Sequence, residues 1–188
     1  MISGPSGSGK TTLANLLLKD RAVGKKLCRS ISVTTRKPRT GERAGRDYFF
    51  ISEAEFKRRR KAKKILEWTR YLGYYYGTDK DFVEEMLGSF CGVVLCLDVV
   101  GARRLKRMFP RNAVTIFVLP PSAKELYRRI RQRARSTTEA EISSRLAVAK
   151  EEIKAAGFYD YRLRNKNLKK ALERLKNIVR QNLPVNRD

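Results

Sequence analysis

Short apolar runs alternate along this chain with charged stretches of helical pattern. Met1-Ile2-Ser3 reads as the end of a strand, Gly4–Gly9 as a loop, and Lys10 to about Asp20 as a helix. Leu13, Leu16 and Leu17 fall on one side of that helix at the 3–4 spacing of a core-facing stripe. Cys28–Val33 reads as a short strand, and Tyr48–Ile51 as an aromatic one beyond the Pro/Gly-punctuated segment Thr34–Arg46. A basic helix over about Glu53–Lys61 leads into the strand-rich stretch Ile65–Tyr76. Gly92–Asp98 and Ala113–Leu119 are nearly continuous apolar runs, the pattern of strands covered on both faces of a parallel sheet. Further helical patterns lie near Ala102–Met108, Ser122–Ala134, Glu139–Ala155 and Leu168–Gln181.

Apolar strands alternating with helices predict an α/β fold whose parallel sheet carries helices on both faces. Two segments depart from that alternation. Thr34–Tyr76, with its hairpin-like strands, reads as an inserted lobe, and the charged helical stretch Ser122–Lys150 as a second, mobile one. A length of 188 residues fits one domain, and 41% hydrophobic residues suffice for a core despite a net charge of +24.

The chain has no histidine, which excludes Ser-His-Asp and Cys-His nucleophile systems, histidine acid–base chemistry and histidine zinc sites. Chemistry here must run on positioning, cations, carboxylates or hydroxyls. Cys28, Cys91 and Cys96 lack CxxC spacing and read as small buried hydrophobes in a reducing compartment. No apolar stretch approaches the ~18 residues of a membrane span, and a glycine-rich loop follows the N-terminus at once. A cytoplasmic protein without a membrane partner is expected.

Gly4-Pro5-Ser6-Gly7-Ser8-Gly9-Lys10-Thr11 is a full GxxxxGK[ST] motif between a strand end and a helix. Its glycines free backbone N–H groups to cradle phosphates, and the helix N-terminus adds positive potential. Lys10 would reach the β- and γ-phosphates of a nucleoside triphosphate, and the Thr11 hydroxyl would ligate magnesium. Asp98 ends an apolar strand, at the edge where ligands collect in open α/β sheets, and would face the metal or a substrate.

Arg36, Arg39, a Pro/Gly turn and Tyr48 are the ingredients of a monophosphate pocket. In a straight strand Arg36 and Arg39 would point to opposite faces, so they converge only if the chain turns at Pro38. Leu66-Glu67-Trp68 and Tyr75-Tyr76-Gly77-Thr78 add a carboxylate, phenols and a hydroxyl. Together with Leu97-Asp98-Val99-Val100-Gly101, Phe117–Ser122, the arginine-bearing helix and Tyr159-Asp160-Tyr161…Asn165, these segments resemble guanylate kinase, in order along essentially the entire chain.

The resemblance implies a P-loop kinase with a core (1–31, 79–121 and 151–188), a mixed-strand GMP-binding lobe (32–78) and a helical lid (122–150). It implies magnesium-dependent transfer of the ATP γ-phosphoryl to GMP, with dGMP an expected second acceptor. Gly4 to Thr12 and Asn165 are then similar to the family's ATP contacts. Ser32, Glu67 and Thr78 are similar to its guanine contacts, Glu67 accepting from the N1/N2 edge. Arg36, Arg39, Tyr48 and Tyr76 resemble its GMP-phosphate ligands, with Asp98 beside GMP or the metal. Arg129, Arg133 and Arg145 resemble its lid arginines, joining Lys10 and Arg36 in balancing transferred charge.

Two features stand apart from the family pattern. Only Met1, Ile2 and Ser3 precede the loop, so the first strand is short or the chain begins late. The run Lys57–Lys61, with Lys63 and Lys64, has no catalytic rationale and reads as solvated charge or a salt-sensitive nucleic-acid contact. The competing expectations are a catalytically silent, protein-binding module of the same fold and a basic nucleic-acid binder. The complete phosphate loop argues for the enzyme, and no obligate protein partner is evident.

Overall fold

The computed structural model describes residues 1–133 and 139–184. Two parallel groups of strands make its central layer. Strand β1 (Ile2–Ser3) pairs with β8 (Ile116–Leu119), which pairs with β9 (Tyr161–Arg164), while β2 (Leu27–Arg29) pairs with β7 (Gly92–Val94). A parallel bridge from Ile2 to Cys96 joins the two groups, giving the order β2-β7-β1-β8-β9.

Alternation along β8 covers both faces of that layer, because successive side chains of a strand point to opposite sides. Ile116 and Val118 pack with Leu13 and Leu17 of α1 (Lys10–Leu18) and with Leu175 and Ile178 of α7 (Leu168–Asn182). Phe117 packs on the other face with Val83 of α3 (Lys80–Ser89) and with Ala102 and Leu105 of α4 (Val99–Met108). Of the expected leucine stripe, Leu13 and Leu17 are buried and Leu16 is half-buried.

The inserted lobe is a four-stranded mixed sheet ordered β4-β3-β6-β5: Phe49–Phe50, Ser32–Thr34, Tyr74–Asp79 and Ile65–Tyr71. It is flanked by α2 (Glu53–Lys61), whose Phe56 fills a small core with Val33 and Ile65. The lid region holds α5 (Ala123–Arg133) and α6 (Glu139–Lys154), packed through Leu126, Ile130, Ile142 and Ala149. Among the described residues no helix is long and apolar enough to cross a membrane.

Four expectations need correction. Cys28–Val33 is not one strand. The Ser30 N–H donates to Val94 O at 3.0 Å, continuing the β2–β7 pairing, and by Ser32 the chain pairs with Thr78 in the other sheet. An apolar β pattern cannot mark such a change of partner. The run Gly92–Asp98 is a strand only to Val94, because Asp98 caps α4 by accepting from the Gly101 N–H at 2.8 Å. Helix α3, absent from the pattern reading, buries Val83 and begins where Asp79 accepts from the Phe82 N–H at 3.0 Å. Finally, Cys28 and Cys96 are only half-buried and Cys91 is exposed; none of the three is in a disulfide.

The basic run also finds partners. Lys57 pairs with Glu53, Arg58 and Arg59 with Glu55, Arg59 also with Asp79, and Lys64 with Asp81. The Arg60 guanidinium lies 4.8 Å from the centre of the Trp68 ring. Arg59, Arg60 and Lys64 thus tie this segment to the lobe and to the start of α3, while Lys57 and Arg58 pair within α2.

Candidate active site

The phosphate loop is held from below. Gly9 is left-handed (φ 95°), and a Cβ there would fall on the Asn165 side-chain nitrogen, which donates to Ser8 O at 2.9 Å. Asn165, expected among the ATP contacts, is buried just after β9 and stands under the loop. Ser8 is buried and turns its hydroxyl inward. Gly4 meets the Val118 carbonyl, which leaves no room for a side chain. Gly4, Ser6, Lys10 and Thr11 line the main cavity; Thr12 is exposed beside them, and Pro5, Gly7, Ser8 and Gly9 do not line it.

Across the cavity the chain does turn, though not at Pro38: it bends at Thr35–Arg36 and turns at Thr40–Gly41. Glu42 is its clasp: one carboxylate oxygen pairs with Arg36 Nη2 at 2.9 Å and the other accepts from the Arg39 N–H at 2.8 Å. Arg36 and Arg39 thereby both line the cavity with Tyr48 and Tyr76. Arg36 is buried, its Nε donating to the Tyr76 hydroxyl at 3.1 Å and its guanidinium 5.5 Å from the Tyr48 ring centre. Burial raises the Tyr48 phenol above its ordinary pKa, and the positive charge of Arg36 opposes that rise.

Glu67, on β5, lines the same cavity. The β5–β6 register shifts between Ile65 and Trp68, a bulge that re-aims the intervening side chains. Glu67 is 4% exposed and accepts from Thr78 Oγ1 at 2.5 Å. Ser32 stands opposite Thr78 in the antiparallel ladder and lines the cavity. Gly101 lets α4 close over the carboxylate, since a Cβ there would overlap Glu67 Oε2. Burial pushes the Glu67 pKa up to about 7; the Thr78 hydrogen bond opposes the rise and the charge of Asp98 adds to it. Asp98 lines the same cavity with one oxygen committed to its helix cap.

From the lid, Arg145 lines the cavity. Arg129 does not; its Nε pairs with Glu125 at 2.7 Å and its Nη1 donates to Gly7 O at 3.2 Å, tying α5 to the phosphate loop. The Arg133 side chain lies outside the described residues. The sequence reading assigns no role to Glu42, Glu152, Arg29 or Ser30, all of which line the cavity. Glu152 is seven residues beyond Arg145, hence on the same helix face, a spacing that could have found it. Burial raises its pKa to about 7 against the pull of Lys10. Arg29 and Ser30 lie at the carboxyl end of β2, the sheet edge where ligands collect.

A phosphate loop, an arginine–tyrosine pocket and a buried carboxylate around one cavity suit a pair of nucleotides. The guanylate kinase family model matches residues 1–182. The guanylate kinase of Synechocystis sp. is 43% identical over 179 residues, spanning 95% of this chain and 91% of that protein. That of Mycoplasma mobile is 41% identical over 188 residues, spanning 97% and 92%. The crystal structure of guanylate kinase from Anaplasma phagocytophilum superposes with a TM-score of 0.79 at 31% identity, covering 98% of this chain and 85% of that one. Family model, relatives and shared architecture agree along nearly the whole length: this chain belongs to the guanylate kinase family.

Proposed function

We propose that this protein transfers the γ-phosphoryl group of ATP to GMP, and to dGMP, yielding ADP and the guanine nucleoside diphosphate. The observation that carries the reading is the buried Glu67–Thr78 pair in one cavity with a complete phosphate loop. Guanine offers an N1–H and an N2 amine as donors, and an ionised carboxylate accepts both. Adenine has no N1–H, so it would leave the buried carboxylate short of a partner, a mismatch that discriminates by about 10⁴-fold.

With the base on Glu67, Ser32 and Thr78, the acceptor phosphate falls to Arg36, Arg39, Tyr48 and Tyr76. The triphosphate lies along the Gly4–Thr11 backbone with Lys10 at its end. An oxygen of the acceptor phosphate, already ionised near neutral pH, attacks the γ-phosphorus in line, and the bond to the ADP oxygen breaks. No general base is needed, in keeping with a chain that has no histidine. The negative charge spread over the transferring oxygens is met by Lys10, Arg36 and the lid arginines Arg129, Arg133 and Arg145.

Magnesium fits the donors present. The exposed Thr11 and the carboxylate of Asp98 line the cavity, and among the described residues no three His, Cys, Asp or Glu side chains gather into a cage. One hydroxyl and one carboxylate suit a hard cation held chiefly by phosphates and water. Bound there it would neutralise phosphate charge.

The complete loop, with Lys10 and Thr11 facing the cavity, favours the enzyme over a silent protein-binding module. A coupled ADP-release assay with ATP, magnesium and GMP, set against AMP and CMP, tests the proposal. Turnover with GMP alone is expected; its absence rejects the reading.

A further inference from the structure

Two polar groups of the cavity have no task in this mechanism. Arg29 ends β2, and both it and Ser30 line the cavity. The Nε of Arg29 and the Oγ of Ser30 are enclosed without a hydrogen-bond partner, and Ser30 is only 6% exposed. Enclosed polar atoms without partners are costly and uncommon in folded proteins. Two of them on consecutive residues, facing one cavity, call for a ligand rich in acceptor oxygens.

The surroundings say which ligand. One end of the Arg29 guanidinium makes a long 3.4 Å hydrogen bond to Asn15, on the helix that Lys10 and Thr11 begin. Its charge also acts on Asp47 and Tyr48 of the lobe and on Cys96 of the central layer. Arg29 thus stands between the phosphate-loop helix and the arginine–tyrosine pocket. Arg36, by contrast, has all three guanidinium nitrogens engaged, by Tyr76, the Lys37 carbonyl and Glu42. Three of the five Arg36 N–H donors are thus already spent inside the protein, whereas the enclosed Arg29 Nε–H is spent on none.

We propose that Arg29, with Ser30, is a further ligand of the acceptor nucleotide's monophosphate, on the side that faces the triphosphate. The inference rests on the reading of this cavity as a nucleoside monophosphate site and names residues of that site beyond the arginine–tyrosine set.

The test compares GMP with guanosine, which lacks the phosphate, by calorimetric titration of the wild type, Arg29→Met, Arg29→Lys and Ser30→Ala, together with KM for GMP and for ATP. For Arg29→Met, GMP affinity should fall about tenfold or more while guanosine stays within about twofold. Arg29→Lys, which keeps the charge without the planar fork, should restore part of that loss and serves if the methionine variant fails to fold. Ser30→Ala should lose about two- to fivefold on GMP alone. An unchanged GMP-to-guanosine ratio overturns the inference. So does an equal loss on both ligands, which would mark Arg29 as a support of the lobe, and so does a loss confined to ATP. A wild-type protein that binds neither GMP nor guanosine would instead reject the functional reading.

Discussion

Thr78 Oγ1 donates a 2.5 Å hydrogen bond to Glu67 Oε1, across two strands of the inserted lobe. The pair sits 4% and 0% exposed, with α4 of the central domain closing over it at Gly101. Glu67, the proposed reader of the base, is therefore a carboxylate that burial has raised to about 7, with the Thr78 hydroxyl hydrogen-bonded to it.

That setting ties guanine binding to pH. Only the ionised carboxylate accepts both donors of a guanine edge, so affinity should be full above pH 8. It should decline below pH 7, toward about tenfold per unit. Guanosine is the ligand of choice, because its lack of phosphate removes the ligand's own titration and leaves the cavity carboxylates Glu67 and Glu152, which the Glu67→Gln variant tells apart. Glu67→Gln should flatten the profile and cost about tenfold or more at pH 8. A wild-type affinity that is constant from pH 6 to 8 would contradict the assignment.

Stability of the ligand-free protein should run the other way. Glu67 and Glu152, both raised to about 7 chiefly by burial, favour the folded state while protonated. That contribution is full below about pH 4.5 and is lost as pH rises through 7, on the order of 3 kcal/mol for Glu67. Asp20, Glu55 and Glu125 are held near 2, in each case first by hydrogen bonds from lysine or arginine. They act in the opposite sense, and only as pH falls below about 4. In thermal melts, the wild type should lose Tm between pH 6 and 8 relative to the Glu67→Gln/Glu152→Gln double variant. Parallel curves would refute this.

Gly101→Ala should damage acceptor binding and spare the donor. The added methyl group overlaps Glu67 Oε2, so the carboxylate must swing away or α4 must shift. The expected result is a rise in KM for GMP of about tenfold or more, with KM for ATP within twofold. An unaltered KM for GMP would show that the carboxylate does not need its present place.

Asp79 joins the lobe to the core. It caps α3 through the Phe82 N–H and pairs with Arg59 at 3.0 Å, at 8% exposure. Asp79→Ala should lower stability by about 1–3 kcal/mol, or about 2–8 °C in Tm. Lys57→Ala, which breaks an exposed pair with Glu53, should change it by less than about 0.5 kcal/mol. Equal melting curves for both variants would dismiss the distinction between the buried Asp79 cap and the exposed Lys57–Glu53 pair.

Much of this was readable in the residues. The phosphate loop, the alternation of strands and helices and the lobe's place in the chain follow from spacing and periodicity. What the residues withheld was partner choice. Nothing in Cys28–Val33 says that the chain leaves one sheet at Ser30 and joins another at Ser32. Nor does charge counting separate Arg129, spent on Glu125 and Gly7, from Arg145, which faces the cavity. Asn165 and Ser8 lie in the expected neighbourhood, yet they hold the loop from beneath, a direction set only by how β9 packs under it.

The most direct measurement is a crystal of the protein soaked with GMP. The guanine N1 and N2 should lie within hydrogen-bonding distance of Glu67, with the phosphate among Arg36, Arg39, Tyr48 and Tyr76. GMP bound elsewhere, or bound here with its base turned away from Glu67, would contradict the proposed function at its root.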